Sequence, residues 1–271
     1  MLPAGKNRAK ANKSTWSDDY SHYLMNIQTF STHEELSEQA AQYIFDTIQK
    51  KIGETGTFVL GLATGASPRL LYQKLVQKLG TSELDLSELH TFNLDEYYRI
   101  RQSQPQSYFQ EMYHSFWKPL NELNHSFEIT NGHILNGEAP KPDLECRIYE
   151  KMIQKAGGVD LQVLGIGING HIGFNEPGSK GDSRTRQIDL TPETREANKK
   201  YFGDDLKKVP EHGMTMGIGT ILESKEILTI VTGEKKKEVF EKLQQLTAPT
   251  ADIPASFLIN HPNTIFYSDL T

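Results

Sequence analysis

Cysteine is almost absent from this chain. Of 271 residues only Cys146 carries a thiol, which excludes an intrachain disulfide and a cysteine-built metal cluster. No run of about 18 apolar residues occurs, so no transmembrane helix is expected. The opening stretch MLPAGKNRAKANKSTW is basic but lacks the apolar segment of a secretory signal. Basic charge is not in excess either: 29 Lys and Arg face 35 Asp and Glu, for a formal net charge of −6, which argues against general nucleic-acid binding. Internal repeats, linkers and low-complexity tracts are also missing. Together these absences predict a cytoplasmic protein with neither nucleic acid nor membrane as partner.

What is present is an alternation of short apolar runs with helical periodicities. The hydrophobic share of 37% and charged share of 24% suit a soluble globular chain. Residues 1–22 read as a flexible, basic extension, and residues 23–271 as one α/β domain. Tyr23–Phe30 reads as a first strand. Ser31 and Glu34 have capping-box spacing, ahead of a helix from about Thr32 to Lys51. Thr57–Ala63, Leu89–Leu94, Leu161–Ile166, Glu226–Val231 and Thr264–Tyr267 read as further strands. Helices are expected over Pro68 to about Lys78, over Ser107–Phe116, over Leu144–Ala156 with Leu144, Ile148, Met152 and Ile153 inward, and over Lys235–Leu246. Asn131–Gly137 is a turn-rich connection, and Leu190–Gly213 is polar enough to be a surface helix pair or a mobile lid. The fold class this implies is α/β: a single doubly wound, largely parallel sheet flanked by helices (Rossmann-like), with a helical lid segment.

Four stretches carry chemistry. The first is LGIGINGHIGFNEPG, Leu164–Gly178, where a strand runs into a loop holding His171, Asn175 and Glu176 among five glycines. Glycines let the chain turn sharply and let a ligand approach main-chain N–H groups. The second is Thr64-Gly65-Ala66-Ser67 followed by Pro68. A small hydroxyl-bearing loop between strand and helix has the build of an anion site, although it is neither a Walker A nor a GxGxxG sequence, and a plain βα turn would look the same. The third is Asp95-Glu96, directly after a strand, where open α/β sheets bind ligands; an arbitrary pair of acids there is more often a cap and a solvated neighbour. The fourth is Lys235-Lys236-Lys237, whose charge opposes the dipole of the helix it opens unless an anion lies nearby.

LATGASP at Leu62–Pro68, FNLDEY at Phe92–Tyr97 and GIGINGHIGFNEPG at Gly165–Gly178, with SRTR at Ser183–Arg186, MGIGTIL at Met216–Leu222 and VTGEKKK at Val231–Lys237, together resemble the glucosamine-6-phosphate deaminase (isomerase) family. The likeness runs from about Tyr23 to the C-terminus. It implies conversion of glucosamine 6-phosphate and water to fructose 6-phosphate and ammonia, in amino-sugar catabolism, with no organic cofactor and no metal. Carried over by motif, Asp95 is the base at C2, His171 the ring-opening acid and base, and Glu176 its orienting partner. The loop Thr64, Gly65, Ala66 and Ser67 holds the phosphate with Lys236.

Two positions depart from the family pattern. Asn169 stands where many members have an aspartate in relay with the histidine, and Lys200 where members commonly have a phosphate-binding arginine. Asparagine can orient His171 but carries no charge, and lysine lacks the bidentate fork of arginine. Ile188, two residues past Arg186, and the end at Thr271 differ from the allosteric hexameric members, so a monomer or small homo-oligomer without N-acetylglucosamine 6-phosphate activation is expected. The competing readings are a galactosamine-6-phosphate enzyme, suggested by IPASFL at Ile253–Leu258; a 6-phosphogluconolactonase; and a non-catalytic phosphosugar sensor. A zinc hydrolase fits poorly, because His171 and Glu176 lack HExxH spacing.

Overall fold

Seven strands, all parallel, run side by side through the middle of the molecule in the order β1-β10-β9-β6-β2-β3-β5. The computed structural model describes residues 25–270; the extension expected over residues 1–22 lies outside them. Among the described residues the strands are β1 (Asn26–Thr29), β2 (Phe58–Leu62), β3 (Leu89–Asn93), β4 (Asp95–Tyr97), β5 (Gly132–His133), β6 (Leu161–Gly165), β7 (Arg186–Asp189), β8 (His212–Thr215), β9 (Glu226–Val231) and β10 (Thr264–Ser268). The α-helices are α1 (His33–Thr55), α2 (Ala66–Gly80), α3 (Tyr108–Met112), α4 (Lys118–Leu123), α5 (Pro142–Lys155), α6 (Pro192–Asn198), α7 (Ile218–Leu222) and α8 (Lys237–Gln245). None is long and apolar enough to cross a membrane.

Apolar residues cover both faces of the sheet, as a parallel sheet requires. On one face Leu60, Leu62, Val163 and Leu228 pack against Ile44 of α1, Leu75 of α2 and the buried Trp117. On the other, Phe92, Leu164 and Val231 meet Tyr149 of α5 and Phe240 of α8. Register aligns the carboxyl ends that matter here: Leu62 pairs with Asn93, and Gly165 with Ile230. The loops after β2, β3, β6 and β9 therefore leave the sheet together, at the edge where α/β proteins hold ligands.

A second sheet, antiparallel and ordered β4-β8-β7, was not expected. Asp95–Tyr97 is not a loop after β3 but a short strand that turns off the main sheet and pairs with Gly213–Thr215. The polar segment 190–213 is only partly helical, with α6 and single 3₁₀ turns. Its sparse apolar residues Leu190, Phe202 and Val209 form a third small core with Tyr97, Ile100 and Phe174. Three residues suffice because the rings of Tyr97, Tyr108 and Phe174 supply much of the remaining surface.

Four local expectations shift. Thr32, not Ser31, caps α1 by accepting the Glu35 N–H, while the Glu35 carboxylate accepts the Ser31 N–H; such a cap contributes about 1 kcal/mol. The helix runs past Gly53 to Thr55 and ends on left-handed Gly56. Helix α5 buries Cys146, Tyr149 and Ile153, leaving Leu144 and Ile148 on its exposed side, because Tyr149 reaches the Asn93 and His133 carbonyls with its hydroxyl. Within the connection expected over Asn131–Gly137, Gly132 and His133 form the edge strand β5.

Candidate active site

The loop after β6 is built around His171. Its backbone N–H and its Nδ1 both meet Asn169 Oδ1, at 3.2 and 2.7 Å. Asn169 Nδ2 donates to Glu176 Oε2 at 2.7 Å, and Glu176 Oε1 accepts from the Thr194 hydroxyl at 2.5 Å. These partners fix the tautomer. A carboxylate only accepts, so the Asn169 amide must turn its NH₂ to Glu176 and its oxygen to His171. His171 Nδ1 therefore carries a proton, and in the neutral ring Nε2 keeps its lone pair. His171 Nδ1 and Glu176 Oε2 are 3.6 Å apart, so the two communicate by charge and through Asn169. Burial would raise the Glu176 carboxyl, but His171, Thr194 and Asn169 outweigh it and bring it down to about 2. It remains a carboxylate across the physiological range.

Glycines admit the side chains. A β-carbon on Gly167 would lie 2.1 Å from His171 Cε1, so the imidazole occupies the space over that residue. Gly173 has φ +56°, and a β-carbon there would come within 3.3 Å of Asp95 Oδ2. Asp95 thus lies against Gly173, two residues along the same loop from His171. Asn175, fully buried, pins this loop by donating to the Ile172 and Met216 carbonyls, and its oxygen accepts from Arg186. Thr215 accepts the Phe174 N–H, so the small sheet and the histidine loop are tied into one wall.

Asp95 is buried, and burial first, then the charges of Glu96 and Glu111, push its carboxyl up to about 8. Glu96 is buried too, but it accepts the N–H groups of Tyr97, Tyr108 and Phe109. It anchors the start of α3 and so is committed to structure, whereas Asp95 is available for proton transfer.

The Thr64–Ser67 loop forms the other wall. Helix α2 begins at Ala66, two residues ahead of Pro68, with left-handed Gly65 before it and no side-chain cap, so the N–H groups of its first turn are open to an anion. Lys236 donates to Ser67 Oγ at 3.0 Å. Gly65 N–H is already used, donating to Glu111 Oε1 at 3.0 Å. Burial lowers the Lys236 ammonium to about 8, opposed by Asp269. A phosphate beside it would restore the higher value. Calorimetry at pH 8.5 in buffers of different ionisation enthalpy is therefore expected to show net proton uptake on binding inorganic phosphate. The uptake should vanish in Lys236→Met; equal uptake in both would remove Lys236 from the site.

Lys200 makes no hydrogen bond to this loop. It is exposed, and its ammonium lies over the Tyr201 ring, 4.9 Å from the centroid. A cleft of about 610 Å³ opens beside Gly65 and Ala66, with Asn198, Tyr201 and Phe202 on its far wall. Sequence reasoning missed Thr194, Asn175 as the pin of the loop, and Arg69 and Glu111 at the cleft. The SRTR segment signalled one of these: Arg184 binds Glu150 and Glu223 while Arg186 holds Asn175. Among the described residues no group of three or more His, Cys, Asp or Glu could hold a metal ion.

Comparison with known proteins adds kinship to this geometry. The family described as glucosamine-6-phosphate isomerases/6-phosphogluconolactonase matches over residues 31–266. A glucosamine-6-phosphate deaminase of Lysinibacillus sphaericus (strain C3-41) is 46% identical over 88% of this chain and 96% of its own length. Glucosamine-6-phosphate deaminase 2 of Bacillus subtilis (strain 168) is 40% identical over 90% of this chain and 95% of its own. Among solved structures, a monomeric glucosamine-6-phosphate deaminase superposes with a TM-score of 0.83 at 39% identity, covering 90% of this chain and 97% of that one. A 6-phosphogluconolactonase from Shewanella baltica OS155 shares the fold, with a TM-score of 0.70 at 18% identity over 90% and 97% of the two chains.

Proposed function

The chain belongs to the glucosamine-6-phosphate isomerase/6-phosphogluconolactonase family, and within it we propose that it is a glucosamine-6-phosphate deaminase. It converts glucosamine 6-phosphate and water to fructose 6-phosphate and ammonia. The observation that carries this reading is a buried carboxylate, Asp95, set against Gly173 of the loop that holds the Asn169–His171–Glu176 chain.

The chemistry follows from those groups. The pyranose must open, which moves a proton from O1 to O5; His171 Nε2 takes it and returns it. The open chain is a 2-amino aldehyde. With the amine as ammonium, Asp95 removes the C2 proton while O1 takes a proton from the ammonium, giving an enolamine, and Asp95 then delivers its proton to C1. C2 is then an iminium carbon. Water adds there, a proton passes to nitrogen, and ammonia leaves as the C2 carbonyl forms. Glu176 stays ionised and, through Asn169, holds the histidine in the tautomer that ring opening needs. Ser67, the open N–H groups of α2 and Lys236 grip the phosphate.

The protein works in the cytoplasm as a monomer or small homo-oligomer. The monomeric state of its structural relative supports this, and a stable hexamer in sedimentation would contradict it. The function itself is tested by ammonia release from glucosamine 6-phosphate, with galactosamine 6-phosphate and 6-phosphogluconolactone as comparators; no ammonia from the first substrate ends this reading.

Asn169→Asp has an expected signature. The change keeps the acceptor for His171 but removes the donor to Glu176 and sets a second carboxylate 2.7 Å from its oxygen. Like charges at that range raise a carboxyl, so Glu176 rises from about 2. The Glu176 titration, followed by carboxyl carbon NMR, should therefore move to higher pH in Asn169→Asp. An unmoved Glu176 titration would show that Asn169 does not tune the pair.

A further inference from the structure

With Lys200 turned onto Tyr201, the phosphate loop has one buried cation, Lys236, and a dianion calls for more. A guanidinium lies on the other side. Arg69 stands on the first turn of α2, with its half-exposed side chain at the cleft that opens beside Gly65 and Ala66. Its Nη2 is 3.5 Å from Glu111 Oε1, the same oxygen that accepts the Gly65 N–H. One carboxylate oxygen therefore receives a backbone N–H from a helix start and faces an arginine. That is the donor set a phosphate oxygen takes.

We infer that Arg69 is a further phosphate-binding residue of this site, held by Glu111 in the free protein and released to the phosphosugar on binding. The inference rests on the phosphosugar reading above. The exchange is physically easy. At 3.5 Å the pair is longer than the 2.7–2.9 Å usual for a charge-assisted bond, and half-exposed ion pairs are weak. An arriving dianion repels the Glu111 carboxylate and offers the arginine fork two oxygens instead of one. Glu111 thus sets a threshold: only an anion of higher charge than its own displaces it from Gly65 and Arg69. This makes the residue that replaces the missing guanidinium a local one, on α2 rather than on the lid segment.

The test measures two things on the full chain: KM and kcat for glucosamine 6-phosphate, and the calorimetric Kd for inorganic phosphate. Arg69→Leu is expected to raise both KM and the phosphate Kd by ~10–100-fold, the range for hydrogen bonds to charged groups, while kcat falls far less. Arg69→Lys should recover only part of the loss. Glu111→Gln, which keeps an acceptor for Gly65 but drops the charge, should tighten phosphate several-fold. Wild-type phosphate affinity in Arg69→Leu, or weaker binding in Glu111→Gln, overturns the inference. The two readings fail separately: no ammonia with Arg69-dependent phosphate binding removes the activity and leaves this site standing. Normal ammonia release with an unaltered Arg69→Leu removes Arg69 alone.

Discussion

Asp95→Asn is expected to lower ammonia release by ~10³–10⁴-fold, the upper range for a general base, while inorganic phosphate still binds. The substitution is isosteric. The backbone of residue 95 stays paired with Thr215, and the approach to Gly173 is unchanged in size. Only the ability to take the C2 proton is lost. Stability should move the other way, and the sign can be worked out. The Asp95 carboxyl is raised from 3.8 to about 8 by burial, Glu96 and Glu111. The folded state therefore holds a proton between those values that the unfolded state gives up. Its contribution to stability is fully present below about pH 4 and is lost as pH rises through 8. Asparagine has no proton to lose, so the variant should melt at the same temperature as the wild type at pH 4 and at a higher one at pH 8. For the wild-type enzyme the same shift means that kcat/KM climbs with pH towards 8, as the base ionises. Retained turnover in the variant would remove Asp95 as base. A melting point that falls together with phosphate affinity would assign it to structure instead.

The parallel sheet was legible because its strands are short apolar runs separated by helices with 3.6-residue periodicity. Position at the strand ends is also local in sequence, so Asp95, His171 and the Thr64–Ser67 loop could be singled out as candidates from motif and topology together. What escaped depends on contacts between distant segments. Nothing near residue 95 announces that Asp95–Tyr97 pairs with Gly213–Thr215, since three polar or aromatic residues form a strand only when a partner offers its edge. Thr194 sits in a polar stretch without pattern, and its role exists only because α6 brings its hydroxyl to Glu176. Leu144 and Ile148 obey helical spacing as well as Cys146 and Tyr149 do. The choice between the two faces was made by a buried tyrosine hydroxyl bonding to two strand carbonyls, which periodicity does not report. Lys200 adds a contact no motif reports: its ammonium rests over the ring of the adjacent Tyr201.

Gly167→Ala should remove activity almost as completely as loss of the histidine itself, a fall of ~10²–10⁴-fold, with little effect on the rest of the fold. The first reason is steric. An alanine methyl would lie 2.1 Å from His171 Cε1 and 2.3 Å from both ring nitrogens, far inside van der Waals contact. The second is that the backbone of residue 167 gives no relief and no excuse: its φ is not in the left-handed region, so alanine is locally tolerated and the whole effect falls on the imidazole. When the ring moves, the 2.7 Å bond from Nδ1 to Asn169 breaks. Asn169 then has no ring N–H to accept, and the tautomer that exposes Nε2 is no longer enforced. Ring opening should fail while the later steps keep their groups, because the methyl on residue 167 meets the imidazole whereas Asp95 lies against Gly173. The clean readout is therefore proton exchange at C2, measured in deuterated water with an open-chain analogue that bypasses ring opening. Gly167→Ala should still exchange that proton, whereas Asp95→Asn should not. Equal loss of exchange in both variants would show that His171 and Asp95 act in one step rather than two.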